Sequence, residues 1–173
     1  MKSFTSIKKL AVLIFGLFLY ALGILLTIHA QLGASPWDTF QIGLSGLTGL
    51  TLGQVSQVVG VMIIFLDIVL KEVPGWGTLL NMYFIGYFVD LIGSWSLITD
   101  AQTVFSQAAM ILVGILAMSW GSFLYLDAGW GAGPRDSLML GLSKRFRTEV
   151  WKARTGIEVC VATAGFFLGV KVG

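Results

Sequence analysis

Four acids stand out as groups that could do chemistry: Asp38 and Asp136, each two residues after a proline, and Asp90 and Glu158, each within a long apolar stretch. A carboxylate in hydrocarbon is costly unless it is paired, protonated or turned toward a wet cavity. All four are therefore candidates to line a path for a solute or an ion. For Asp90 a functional or network role outweighs the bland alternative of a protonated or paired acid. For Glu158 an ion pair with Arg154, one helical turn away, is an equal alternative. Asp67, four residues before Lys71 and near the end of an apolar run, is expected at the membrane interface.

Enzymatic chemistry has no visible carrier. One cysteine, Cys160, and one histidine, His29, are too few for a thiol or imidazole metal site. There is no phosphate-binding glycine loop, no dinucleotide fingerprint and no nucleophile elbow. No catalytic residue, metal or cofactor is expected.

Asp38 and Asp136 belong to matching segments. Ser35 can cap a helix that begins at Pro36, with Asp38 in its first turn, as in a capping box. Gly133 and Pro134 open the second copy in the same way, with Asp136 where the helix dipole favours negative charge. Trp37, Phe40 and Leu44 share one helical face in the first, and Leu138 and Leu142 do so in the second. Two placements compete: a short helix lying at the interface, or a half-helix dipping into the bundle so that its N-terminus lines a polar site. Broken backbone at membrane depth requires cover by protein or a water-filled cavity.

The two segments are copies. At an offset of 98 residues, 33–45 aligns with 131–143 with seven identities in thirteen positions. Chance at this composition would give about one. Ala11/Ala109, Gly16/Gly114, Gly23/Gly121, Leu26/Leu124 and Ala30/Ala128 extend the match, and His29 aligns with Asp127. Repeat one covers 8–98 and repeat two covers 106–173, the second being incomplete because Gly75 plus the offset is Gly173. A sixth span, counterpart of 76–98, is therefore expected to be missing from this chain. Glycines seven residues apart let the first and fourth spans approach closely.

The elements that carry these residues must be membrane spans. Of 173 residues, 56% are hydrophobic and only 12% charged, about half the usual share of charge. A water-soluble globule of this make-up would expose large apolar patches. The net charge of +2 gives no nucleic-acid footprint. Leu10–Ile28 is uncharged and long enough to cross, at roughly 29 Å. Further spans are expected at 54–70, 76–98, 102–126 and 154–170, while 33–50 and 131–149 are too short. With the N-terminus in the cytoplasm, ten of eleven basic residues fall on the inner side and only Lys171 outside. Three spans separate the copies, so the second is inverted in the bilayer. That construction is common among secondary transporters. The cytoplasmic bias by itself accounts for Arg135 standing where copy one has Trp37.

GASPWDTF, GAGPRDSL, the glycine-rich spans and the pattern around Glu158 resemble the YczE/YyaS/YitT group of bacterial integral membrane proteins, in its YczE-like branch. The resemblance covers most of the chain. It implies a multi-span plasma-membrane protein with no established catalytic residues. The expected fold is thus all-α: a polytopic bundle of five spans with an inverted repeat and two half-helices. The expected function is transport or export of a small solute without ATP hydrolysis in this chain. A membrane scaffold or regulator acting through a partner is the alternative. Expected partners are the lipid bilayer, a small-molecule solute, and a second copy or another membrane protein, but no nucleic acid.

Overall fold

A computed structural model describes residues 2–170, all of whose regular structure is helical. The helices are α1 (Lys2–His29), α2 (Pro36–Thr48), α3 (Leu52–Val69), α4 (Trp76–Ser94), α5 (Val104–Asp127), α6 (Pro134–Phe146) and α7 (Val150–Phe167). Lys171 and the last residues of the second repeat lie outside the described residues. The helix bounds carry the repeat: shifting α2 by 98 residues gives the bounds of α6, and shifting α3 gives those of α7.

Among the described residues, three helices are long and apolar enough to cross a membrane: α1 from Ile7, α3 and α5. The segments expected as the third and fifth spans form α4 and α7, of 19 and 18 residues, which are interrupted by more polar side chains. Asn81 and Asp90 interrupt α4; Lys152, Arg154 and Glu158 interrupt α7. The span expected to reach residue 98 stops at Ser94, because Ser96 takes a left-handed φ of 52°. α7 instead begins four residues before the expected 154.

The core is built around α1. Leu13, Leu17, Ala21 and Ile24 pack on Ile85 and Val89 of α4 and on Tyr125 of α5. α1 and α5 run antiparallel, and their glycines set the separation. A Cβ on Gly16 would lie 2.8 Å from the Gly121 carbonyl oxygen, and one on Gly23 would lie 2.6 Å from that of Gly114. A second cluster joins Val55, Val59 and Ile63 of α3 to Leu138 of α6, with Trp37, Phe40 and Leu44 of α2 and Leu142 packed against it. The apolar faces of both short helices are thus spent on the same cluster. Large apolar side chains also cover the outside, such as Phe105, Leu116, Trp120 and Phe123 on α5 and Met62 and Phe65 on α3. Such a surface suits lipid and not water.

The two short helices are terminated alike. Gly49 (φ 72°) closes α2 and Arg147 (φ 51°) closes α6, both left-handed. Ser45 Oγ donates to the Leu50 carbonyl at 2.6 Å, and Ser143 Oγ to the Thr148 carbonyl at 2.6 Å. Each pair is the other moved by 98 positions. His29 Nδ1 lies 2.6 Å from Asp100 Oδ1, tying the end of α1 to the α4–α5 connection.

Candidate functional site

Both short helices begin at one cavity. Its volume is about 230 Å3, and its lining includes Ser35, Pro36 and Trp37 from one start and Gly133, Pro134 and Arg135 from the other. Positive φ at Gly33 (108°) and Gly131 (121°) turns each lead-in toward this point, a conformation that glycine adopts without a Cβ penalty. Thr78 and Asn81 of α4 brace the second lead-in. Thr78 Oγ1 donates to the Ala132 carbonyl at 2.7 Å, and the Asn81 amide lies against Gly133.

The α2 start is capped as a reciprocal pair. Ser35 Oγ accepts from the Asp38 N–H at 3.3 Å and donates to Asp38 Oδ2 at 2.6 Å. Asp38 is buried behind this cap. Gly133 offers α6 no side-chain cap, and Asp136 instead accepts from the Tyr125 hydroxyl at 3.0 Å. Glu158 lines the cavity while accepting from Arg154 Nε at 2.8 Å, so its ion pair and its place in the cavity coexist. The structure therefore brings Asp136 and Glu158 to the cavity wall and Asp38 directly behind it.

Asp90 is elsewhere. Its Oδ2 accepts from Thr51 Oγ1 at 2.5 Å and its Oδ1 from the Gly53 N–H at 2.8 Å, which caps α3 from the neighbouring α4. Its need for a partner was readable from sequence, but that partner is the backbone of another helix 37 residues away. Removing it in Asp90→Ala is expected to lower stability by about 1–2 kcal/mol. Thermal unfolding of the purified protein in detergent checks this.

Several cavity groups were not singled out by sequence reasoning. Arg135 lines the cavity, and its guanidinium lies 4.8 Å from the centroid of the Trp37 ring. These two residues occupy the same position in the two copies, so the repeat alignment held the signal for their contact. Gln41, Asn81, Tyr20 and Tyr125 also line the cavity. The signal for Asn81 was a polar amide within an otherwise apolar span. Asp67, expected at an interface, is wholly buried, and among the described residues neither of its carboxylate oxygens meets a hydrogen-bond donor.

Residues 7–173 match DUF6198, described as a family of unknown function. The chain belongs to this family. It is 35% identical over 161 residues to the uncharacterized membrane protein YczE of Bacillus subtilis (strain 168), covering 91% of this chain and 74% of that protein. An uncharacterized protein of Haemophilus influenzae (strain ATCC 51907 / DSM 11121 / KW20 / Rd) is 32% identical over 166 residues, covering 96% of this chain and 75% of its own length. The uncharacterized protein YyaS of Bacillus subtilis (strain 168) is 29% identical over 138 residues, 75% of this chain and 67% of that protein. No solved structure matches the chain. Its relatedness to YczE, together with its three long apolar helices, makes this DUF6198 member a membrane protein.

Proposed function

We propose that this DUF6198 protein moves a small solute across the plasma membrane by exposing one central cavity alternately to each side, with no ATP hydrolysis and no enzymatic step in this chain. In this arrangement α1, α3, α4, α5 and α7 cross the bilayer, the N-terminus is cytoplasmic, and α2 and α6 are half-helices of opposite orientation. Asp136 and Glu158 flank the path, and Asp38 shapes the α2 start that faces it. Asp90 supports α3 from outside the cavity.

The carrying observation is the convergence of both proline-started helices on a single cavity. The contacts around it also exchange under the shift of 98. Gly16 meets Gly121 while Gly23 meets Gly114, and Gly43 meets Leu168 while Gly141 meets Leu70. A twofold relation between halves requires such reciprocal pairs, and a pseudo-twofold in the membrane plane makes two access states near-equivalent.

Orientation is tested by labelling in whole cells. In a Cys160→Ser background, Leu47→Cys and Arg145→Cys occupy matched positions near the exposed ends of α2 and α6. A membrane-impermeant maleimide is expected to reach Leu47→Cys in intact cells and Arg145→Cys only after permeabilisation. Labelling of both from one side would end the inverted arrangement. Transport itself is tested with the full chain in liposomes, using a panel of labelled small carboxylates, amino acids and inorganic ions. Gradient-driven flux above that of protein-free liposomes is expected. No flux across the panel, with a membrane protein co-purifying, would establish the scaffold role instead.

A further inference from the structure

We infer that the cavity between α2 and α6 is a binding site for the carboxylate of a small organic acid, with Arg135 as its cationic anchor and the Gln41 and Asn81 amides as its neutral hydrogen-bonding partners. This deepens the transport reading by naming a substrate class, and it can be tested without any flux.

Two buried amides point to a ligand. Gln41 is 3% exposed and Asn81 8% exposed; both line the cavity, and neither makes a side-chain hydrogen bond among the described residues. Buried amides in folded proteins are otherwise paired. Here their polar atoms face the cavity, where a solute or water must satisfy them.

The charges define what kind of solute. Each acid at the site already has a donor: Ser35 for Asp38, Tyr125 for Asp136 and Arg154 for Glu158. Arg135 forms no ion pair and no hydrogen bond among the described residues; its guanidinium lies over the Trp37 ring, and its charge is felt by the buried Asp38 and Tyr20. The unmet demand is therefore for an acceptor. A guanidinium presents a planar fork of donors that matches a carboxylate. The first-turn N–H groups of Trp37 and Arg135 have no intrahelical acceptor, and both helix dipoles place their positive ends at the same spot.

Charge and walls separate a carboxylate from a phosphate. The lining carries two cations, Arg135 and Arg154, and two acids, Asp136 and Glu158, so it has no surplus positive charge for a dianion. A monoanion needs only Arg135. Ile24, Val59, Ile63 and Ile85 form an apolar wall that can take a hydrocarbon tail. At about 230 Å3 the cavity is smaller than the pockets of about 300–1,000 Å3 that hold drug-sized ligands.

The test is equilibrium binding to the purified full chain at constant ionic strength, read by isothermal titration and by tryptophan fluorescence. The probes are sodium acetate, butyrate and benzoate, with butyramide as the neutral isostere and inorganic phosphate as the dianion. At least one carboxylate is expected to bind saturably, about tenfold or more tighter than butyramide or phosphate. Arg135→Gln should weaken it by about tenfold to a hundredfold, Arg135→Lys by less, and Gln41→Leu severalfold. Equal binding of butyramide, tighter binding of phosphate, no saturable carboxylate binding, or affinity unchanged in Arg135→Gln would each overturn the assignment. The comparison of butyrate with butyramide on the unmodified chain decides the matter even if a variant fails to fold. Carboxylate binding without flux would keep this site and remove the transport role. Flux indifferent to Arg135→Gln would do the reverse.

Discussion

Replacing Gly121 by leucine is expected to force α1 and α5 apart and to abolish most of the folded protein. A Cβ at this position would lie 2.5 Å from the Gly16 carbonyl oxygen and 2.8 Å from the Tyr20 nitrogen. Both atoms are backbone, so no rotamer change relieves the clash. Overpacking in a core typically costs about 1–3 kcal/mol, and a rigid backbone obstacle puts this case at or above the upper end. The α1–α5 contact also holds Tyr125 in the core and so positions the donor to Asp136. Even Gly121→Ala should therefore lower the unfolding midpoint clearly. Gly156, in α7, is the contrast, because a Cβ there meets nothing within 4 Å. Gly156→Ala should be neutral or stabilise by up to about 1 kcal/mol through helix propensity. Unfolding midpoints and monodisperse yield in detergent check the pair. A Gly121→Leu protein as stable as the parent would show that the helices are not in backbone contact there.

Asp67→Leu is expected to stabilise the protein. The carboxylate is fully buried on α3 with both oxygens unpartnered, while leucine has a similar shape and no group to desolvate. An unsatisfied buried polar group costs about 1–3 kcal/mol, more if charged. Exchange for an apolar side chain of matching shape is often neutral or favourable. The repeat offers an internal comparison: the counterpart of Asp67 is Gly165, where a Cβ would lie 2.8 Å from Thr39 Cγ2. One copy thus keeps an acid where the other is too tight for any side chain. A raised unfolding midpoint in Asp67→Leu, measured with the same detergent and protein concentration, is the expected result. A lowered one would mean that the carboxylate has a partner in the folded protein.

At three residues the sequence states a need without naming the partner. The sequence places Asp67 at an interface, near a span end and four residues before Lys71; Lys71 adopts a left-handed φ of 65° after α3 has ended. The helical geometry that would pair them is absent. The inner-side bias of basic residues suffices for Arg135 in the sequence, and it says nothing of the Trp37 ring beneath the guanidinium. For Asp90 the sequence leaves a path or a network role, and Thr51 with Gly53 supplies the network. In each case the chemical need was legible and the partner was not.

The sequence alone determined the helical membrane class, the position of each proline-started helix and the doubling at 98 residues. Those properties depend on local rules: apolar length, the fixed φ of proline, the freedom of glycine and the capping reach of a serine. Packing in three dimensions is what opens both helix starts on one cavity, brings Trp37 against Arg135, and turns Gln41 and Asn81 to the cavity with no partner among the described residues. These relations join residues far apart in the chain through the packing of α1, α3, α4 and α5. Such packing depends on the fit of whole helix faces, which no short stretch of residues encodes.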